Sequence, residues 1–269
     1  LSGLGVAHLT ALELAPQVLV REASRAGFSS VGLRLHPAMA GGIAYPLAPG
    51  SQALRQLKRT LDDEGVVVNE IEFVELKPGV DIAGLAMLLE AGAQLGARCI
   101  TVSGDDPQQS RLTDNFTALC ELAGGYGLRV DLEFMRWRQI GDLQQAVALV
   151  AAAGQANGGV LIDALHLFRS GGDAAAVAQL DPRYIHGVQW CDAPALAPTG
   201  EGIIREAREG RLAPGQGELP LAGLLQALPP QVHGSVEVPC PGMDAAARLA
   251  RAFTLTRAWL HSSKTPQTI

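Results

Sequence analysis

The chain has 269 residues, a formal net charge of −6, 48% apolar residues and only 18% charged residues. That balance is too apolar for a disordered chain, and its acidity argues against a surface built to neutralise nucleic-acid phosphates. The length suits one large domain or two small ones, since single α/β barrels commonly reach about 250 residues. Cys99, Cys120, Cys191 and Cys240 are far apart and form no CxxC pair, so no disulfide framework is expected, and Cys99 reads as a small buried hydrophobe. Leu1–Leu14 lacks a basic stretch leading into a long apolar run, so no signal peptide is expected. Ala146–Gly154, the longest Ala/Val/Leu stretch, is far short of the roughly 20 residues that span a bilayer. The expectation is a cytoplasmic protein with neither membrane nor nucleic acid as partner.

Short apolar runs alternate with amphipathic segments along the chain. Gly5–Thr10 reads as a strand and Pro16–Ala26 as a helix ending at Gly27. Ser30–Leu35 and Ser51–Glu64 make the second pair, with Gly65 as the stop. Val66–Val74 is followed by a helix over Ile82–Leu95, and Cys99–Ser103 by one over Leu112–Gly125. Leu128–Phe134 leads to Asp142–Ala153, stopped by Gly154, and Val160–Asp163 to the short Asp173–Leu180. His186–Cys191 precedes Leu219–Leu228, and Gly234–Val238 precedes Asp244–Leu260. Glycines after helices are C-cap signals, and Leu and Val recur at helical spacing, as in Ile82, Leu85, Leu88 and Leu89. Eight strand–helix pairs in strict alternation require a parallel sheet, because each helix returns the chain to the same end. With no break in composition, the expected fold is α/β, a single (β/α)8 TIM barrel over residues 1–269. No G-x-G-x-x-G opens the first helix, which weakens an open dinucleotide-binding sheet.

Two connections are long. One runs from Pro37 to Gly50 after the second strand. The other covers Asp192–Glu218 after the seventh, with a short helix at Glu201–Arg208. Both fall at the C-terminal ends of strands, where barrel active sites are built.

The ends of the last four strands carry Glu133, Asp163, Gln189 and Glu237, at spacings of 30, 26 and 48 residues. The first two are close to the ~31 residues of one barrel unit, and the third is longer by roughly the second insertion. One polar side chain thus projects at the same level from four neighbouring strands. Carboxylates in apolar strands are costly unless paired or bound to a cation. Three carboxylates and an amide oxygen make a hard oxygen cage, suited to Mn²⁺ or Mg²⁺, with Co²⁺ or Zn²⁺ as alternatives. Taken singly, each residue also reads as one half of an ordinary strand-end salt bridge.

Glu133, Asp163 with His166 three residues on, Gln189 and Glu237 resemble the metal site of the xylose-isomerase-like TIM barrels. LeuIleAspAlaLeuHis is similar to that family's strand-six motif, and ArgLeuAlaProGlyGlnGlyGlu (Arg211–Glu218) to its R-x-x-PG-x-GE loop. The resemblance covers nearly the whole chain and is strongest from Leu128 to Val238. It implies a divalent-metal-dependent isomerase or epimerase of a small sugar, polyol or keto-sugar. A proton is removed next to a carbonyl, and the cation stabilises the enediolate. Glu133 and Glu237 are then the facing glutamates that remove and return the proton, and His166 a substrate hydrogen-bond partner or proton shuttle. Gln189 stands where the family usually has His. Gln also occurs in its dehydratase members, and GlnTrpCysAspAlaPro resembles their strand-seven sequence. The alternative is therefore a lyase acting on a cyclic β-hydroxy ketone such as inosose or 3-dehydroshikimate. Those dehydratases place a cation after strand three, where this chain has Glu72, Glu75 and then Lys77. A non-catalytic sugar-binding barrel is a third reading. A DNA-repair endonuclease would need a larger His-rich cluster and a basic groove.

Further candidates for substrate contact are Arg169, Arg211 before its Pro-Gly turn, and the pair Arg34 and His36, which alternation places on one face of the second strand. Arg34 reads equally well as the partner of Glu70 or Glu72. His8 is a weaker rim candidate, Trp137 and Trp190 are candidate pocket walls, and His186, His233 and His261 read as structural or exposed. The Ala-rich outer helices would suit a homodimer interface.

Overall fold

The structure, a computed structural model, describes residues 3–264; residues 1, 2 and 265–269 of the expected 1–269 span lie outside them. Eight parallel strands close into a barrel in sequence order. They are β1 (Gly5–Val6), β2 (Ser30–Arg34), β3 (Val67–Leu76), β4 (Cys99–Gly104), β5 (Arg129–Glu133), β6 (Gly158–Asp163), β7 (Ile185–Trp190) and β8 (His233–Val236). Closure rests on β1 pairing with β8, Gly5 opposite Ser235 and Val6 opposite Val236. The helices are α1 (Pro16–Ala26), α2 (Gln52–Glu64), α3 (Ala86–Gln94), α4 (Gln109–Gly124), α5 (Leu143–Ala153), α6 (Ala164–Arg169), α7 (Ala174–Ala178), α8 (Gly202–Glu209), α9 (Leu221–Ala227) and α10 (Ala245–Lys264). No helix among the described residues is long and apolar enough to cross a membrane.

Local chemistry explains the boundaries. Ser51 caps α2 by accepting from Leu54 N–H at 3.2 Å, and Asp142 caps α5 through Gln145 N–H at 2.8 Å. Both helices end on glycines with left-handed backbone, Gly65 and Gly154. The first strand is shorter than the expected Gly5–Thr10, because His8–Ala11 curls into a 3-10 turn. That turn buries the His8 ring, whose Nδ1 accepts from Arg34 N–H at 2.8 Å while Nε2 donates to the Leu14 carbonyl at 2.9 Å. Sequence patterning missed α6, which is too short to show a helical period; Asp163 caps it by accepting from His166 N–H at 2.9 Å. The core lies between sheet and helices, where Leu19, Leu33, Leu57, Ile71, Leu89 and Phe116 are fully enclosed.

Register places the candidate site. Glu133 lies opposite Leu161 and Asp163 opposite Gln189. Gln189 in turn lies opposite Ser235, two residues before Glu237. Each step around the barrel climbs along the strand, the stagger that closure demands, so residues at different register share one height.

A second polar layer lies nearer the N-terminal ends of the strands. His186 Nδ1 meets Asp131 Oδ1 at 2.8 Å, and His233 Nε2 meets Ser30 Oγ at 3.2 Å. Burial, followed by the charges of Arg98 and Arg129, pulls His233 down to about 4. Its unfolded counterpart protonates below about pH 6.5, so stability falls as pH drops from about 6.5 towards 4, by up to about 3 kcal/mol for this residue. His233→Gln is expected to flatten the acid limb of thermal stability between pH 7 and 4.5, measured by calorimetry. An unchanged limb would contradict this.

Candidate active site

A cavity of about 310 Å³ opens at the C-terminal ends of the strands. Its floor holds Glu133, Gln189, Glu237, His166 and Arg211, all nearly enclosed by protein. Glu133, Asp163 and His166 each offer a donor atom, and these atoms lie within 4.8 Å of one another. Gln189 Nε2 approaches Glu237 Oε1 at 3.5 Å. Arg211 joins the halves. One guanidinium nitrogen donates to Asp163, and the other lies 2.9 Å from Glu237 Oε2 and 3.5 Å from His166 Nε2.

The electrostatics follow from crowding in a dry site. Burial, then the charges of Glu237 and Asp163, pushes Glu133 well above the usual carboxylate range. Burial raises Glu237 to about 7, although Arg211 opposes it. Burial also works against the Asp163 carboxylate, but the adjacent Arg211 and His166 outweigh it and hold Asp163 low. Burial pulls His166 down to about 4, so its imidazole is neutral at pH 7. The Trp137 ring meets it edge-on at a centroid distance of 5.1 Å.

This donor set fits a divalent cation. Gln189 Oε1 is buried without a hydrogen-bond partner among the described residues, the charges of Glu237 and Asp163 work against a charged Glu133, and the charges of Asp163 and Glu72 work against a charged Glu237. An oxygen-rich set of this kind matches hard or borderline ions.

The other sequence candidates divide. Arg34 lines the cavity, but its Nε and Nη2 donate to Glu72 Oε2 at 3.1 and 2.9 Å, while Glu72 Oε1 accepts from His8 N–H at 2.9 Å. Of its two possible partners, Arg34 therefore takes Glu72. Gly32 makes this pair feasible, because a Cβ there would fall 2.2 Å from Glu72 Oε1. Glu70, on the same strand face, is buried and accepts from Thr101 Oγ1 at 2.9 Å. His36 does not reach the cavity wall; its Nδ1 meets the Phe73 carbonyl at 3.1 Å, beyond the end of β2. Arg169 also stays outside, because Glu206 takes its guanidinium at 2.8 and 2.7 Å and the Pro194 carbonyl at 2.7 Å. Trp137 walls the pocket, whereas Trp190 packs in the core against Trp259. Lys77 pairs with Glu75 at 3.0 Å.

Sequence reasoning missed two cavity arginines. Arg138 follows β5 and bonds Asp105 at 2.7 Å and Glu75. Arg208 lies in the last turn of α8, exposed at the cavity rim, with no ion pair or hydrogen bond among the described residues. The helix of the long excursion was legible, but the direction of its arginines was not.

A 3-dehydroshikimate dehydratase of Pseudomonas aeruginosa is 34% identical over 180 residues, 65% of this chain and 28% of that protein. The chain thus spans less than a third of that relative's length. A xylose isomerase-like TIM barrel/4-hydroxyphenylpyruvate dioxygenase fusion protein superposes with a TM-score of 0.77 at 23% identity, over 97% of this chain and 44% of its own. The IolI protein, whose crystal structure holds a zinc atom, superposes with a TM-score of 0.80 at 19% identity, over 98% and 99% of the two chains. At these identities the two structures speak for the fold alone. The family model for xylose isomerase-like TIM barrels matches residues 20–257, and the chain belongs to that family.

Proposed function

We propose that the chain is a divalent-metal-dependent lyase that removes water from a small cyclic β-hydroxy ketone bearing a carboxylate, of the 3-dehydroshikimate type. The observation that carries the reading is that Glu133 and Glu237 are both buried at one cavity, Glu133 in a donor cluster with Asp163 and His166 and Glu237 beside Gln189. A cation held by Glu133, Asp163, Gln189 and Glu237 would supply positive charge to substrate oxygens and so acidify the proton next to the carbonyl. Glu133 and Glu237 are the groups placed to take up that proton and to deliver one to the departing hydroxyl, which leaves as water. Their environment favours proton exchange near neutrality, with Glu237 at about 7. Neutral His166, beside Glu133 and Arg211, offers a hydrogen bond to a substrate oxygen without adding charge.

Two observations favour dehydration. The relative at 34% identity is named for that reaction. Arg208 also lines the cavity without a partner among the described residues, and a guanidinium matches a carboxylate in two parallel hydrogen bonds. It supplies a cation that β3 does not, since Glu72 there is taken by Arg34. The apolar part of the wall, including Met39, Ile43, Phe73 and Trp137, suits the C–H face of a carbocycle. The second reading, epimerisation of a keto-sugar, is favoured by the same two glutamates, since one can remove a proton and the other return it.

With Mn²⁺ present, 3-dehydroshikimate is expected to give a rising ultraviolet absorbance as a conjugated product forms. Glu237→Gln should lower kcat by about 10²–10⁴-fold. No rise, together with deuterium wash-in from D₂O into a keto-sugar, would replace this reading with the epimerase; neither signal would refute both. Arg208→Gln is expected to raise KM about tenfold or more with kcat little changed, the signature of a lost ground-state contact. An unchanged KM would remove Arg208 from the substrate site.

A further inference from the structure

Asp192 lies two residues beyond β7, at the start of the long excursion, and is almost completely buried. Its carboxylate accepts four backbone N–H groups. Oδ1 takes those of Ala193 at 2.9 Å and Leu219 at 3.0 Å; Oδ2 takes those of Gly215 at 3.0 Å and Gly217 at 2.9 Å. A carboxylate has about four lone-pair sites, so this one is saturated. The Asp192 backbone also pairs with Leu212, N–H to carbonyl at 2.7 Å and the reverse at 2.8 Å. One residue thus gathers both ends of the turn that follows Arg211.

The fit is close. A Cβ on Gly217 would fall 2.4 Å from the Ala193 carbonyl oxygen and 2.5 Å from Asp192 Oδ1. Arg211, next to Leu212, is held further by Nε donating to the Ala207 carbonyl at 2.7 Å. Its guanidinium then reaches Asp163 and Glu237. A side chain spanning two facing carboxylates loses its place if its backbone shifts by an ångström, and outer partners of metal ligands act through such placement.

We propose that Asp192 is a positioning residue, which fixes the turn over residues 212–219 and thereby seats Arg211 between Asp163 and Glu237. The inference rests on the reading above only in taking those two carboxylates as metal ligands. It explains why a buried carboxylate outside the cavity is devoted wholly to backbone. Asparagine in its place would keep one acceptor and turn an NH₂ group towards two of the four N–H donors. Loss of the turn should therefore act on the site as loss of Arg211 does.

The test is a double-mutant cycle on the whole chain, with Mn²⁺ as probe and its dissociation constant read by calorimetry. Asp192→Asn and Arg211→Gln are each expected to shift that constant about tenfold, in the same direction, and the double variant to match Arg211→Gln alone. Additive effects, or an unchanged constant in Asp192→Asn, would overturn the proposal. Should Asp192→Asn fail to fold, Gly217→Ala replaces it in the cycle, because it disrupts the same turn without altering charge. Hydrogen exchange supplies the second readout. The 212–219 amides should exchange at least tenfold faster in Asp192→Asn, with the barrel strands unchanged. If the wild-type chain binds no Mn²⁺, the metal-dependent lyase falls, and exchange alone decides the role of Asp192: faster in that turn supports it, unchanged overturns it.

Discussion

Three carboxylates buried around one point cannot all keep their charge without compensating cations. Glu133, Asp163 and Glu237 are in this position at the top of the barrel, and Arg211 is the protein's own partial remedy. One guanidinium holds Asp163 ionised, while Glu133 and Glu237 are still driven up by burial. The residual imbalance is what a divalent cation would satisfy, and Gln189 adds an uncharged oxygen with no hydrogen-bond partner among the described residues. The rest of the upper face serves this arrangement. Strand stagger brings four side chains to one height, and the excursion after β7 folds back to deliver Arg211.

The two sides of the cavity differ in charge. On the β1–β3 side Arg34 and Glu72 cancel, tied into the backbone by His8, so that wall is polar but neutral. On the β5–β8 side the carboxylates dominate. At the rim, Arg208 offers a positive charge with no ion pair among the described residues. A substrate with a carboxylate at one end and a carbonyl at the other would span this gradient, with its anionic end at the rim and its reacting carbon over the glutamates. The long excursion carries both arginines: Arg208 in α8, and Arg211 just before the turn that follows.

Much of this was legible in the sequence because it depends on repetition. Helix stops at Gly65 and Gly154, alternation of strand and helix, and near-constant spacing of Glu133, Asp163 and Gln189 all follow from a fold that repeats about every 31 residues. The failures came where a side chain's direction is set by a distant partner. Arg169 reads as a substrate cation until Glu206, 37 residues on, takes it. Arg208 gives no local signal, since helix placement and not type aims it at the cavity. Asp192 looked like part of a strand-seven motif, and three of its four backbone N–H contacts emerge only when residues 215–219 fold back on it. His8 and the short first strand were misread because a 3-10 turn has no periodicity of its own.

The central claim is that Glu133, Asp163, Gln189 and Glu237 form one cation site. Anomalous scattering from crystals grown with Mn²⁺ tests it most directly. The expected result is a manganese peak in contact with carboxylate oxygens of Glu133, Asp163 and Glu237 and with Gln189 Oε1. A peak elsewhere, or Gln189 turned away while Arg211 alone bridges Asp163 and Glu237, would contradict it.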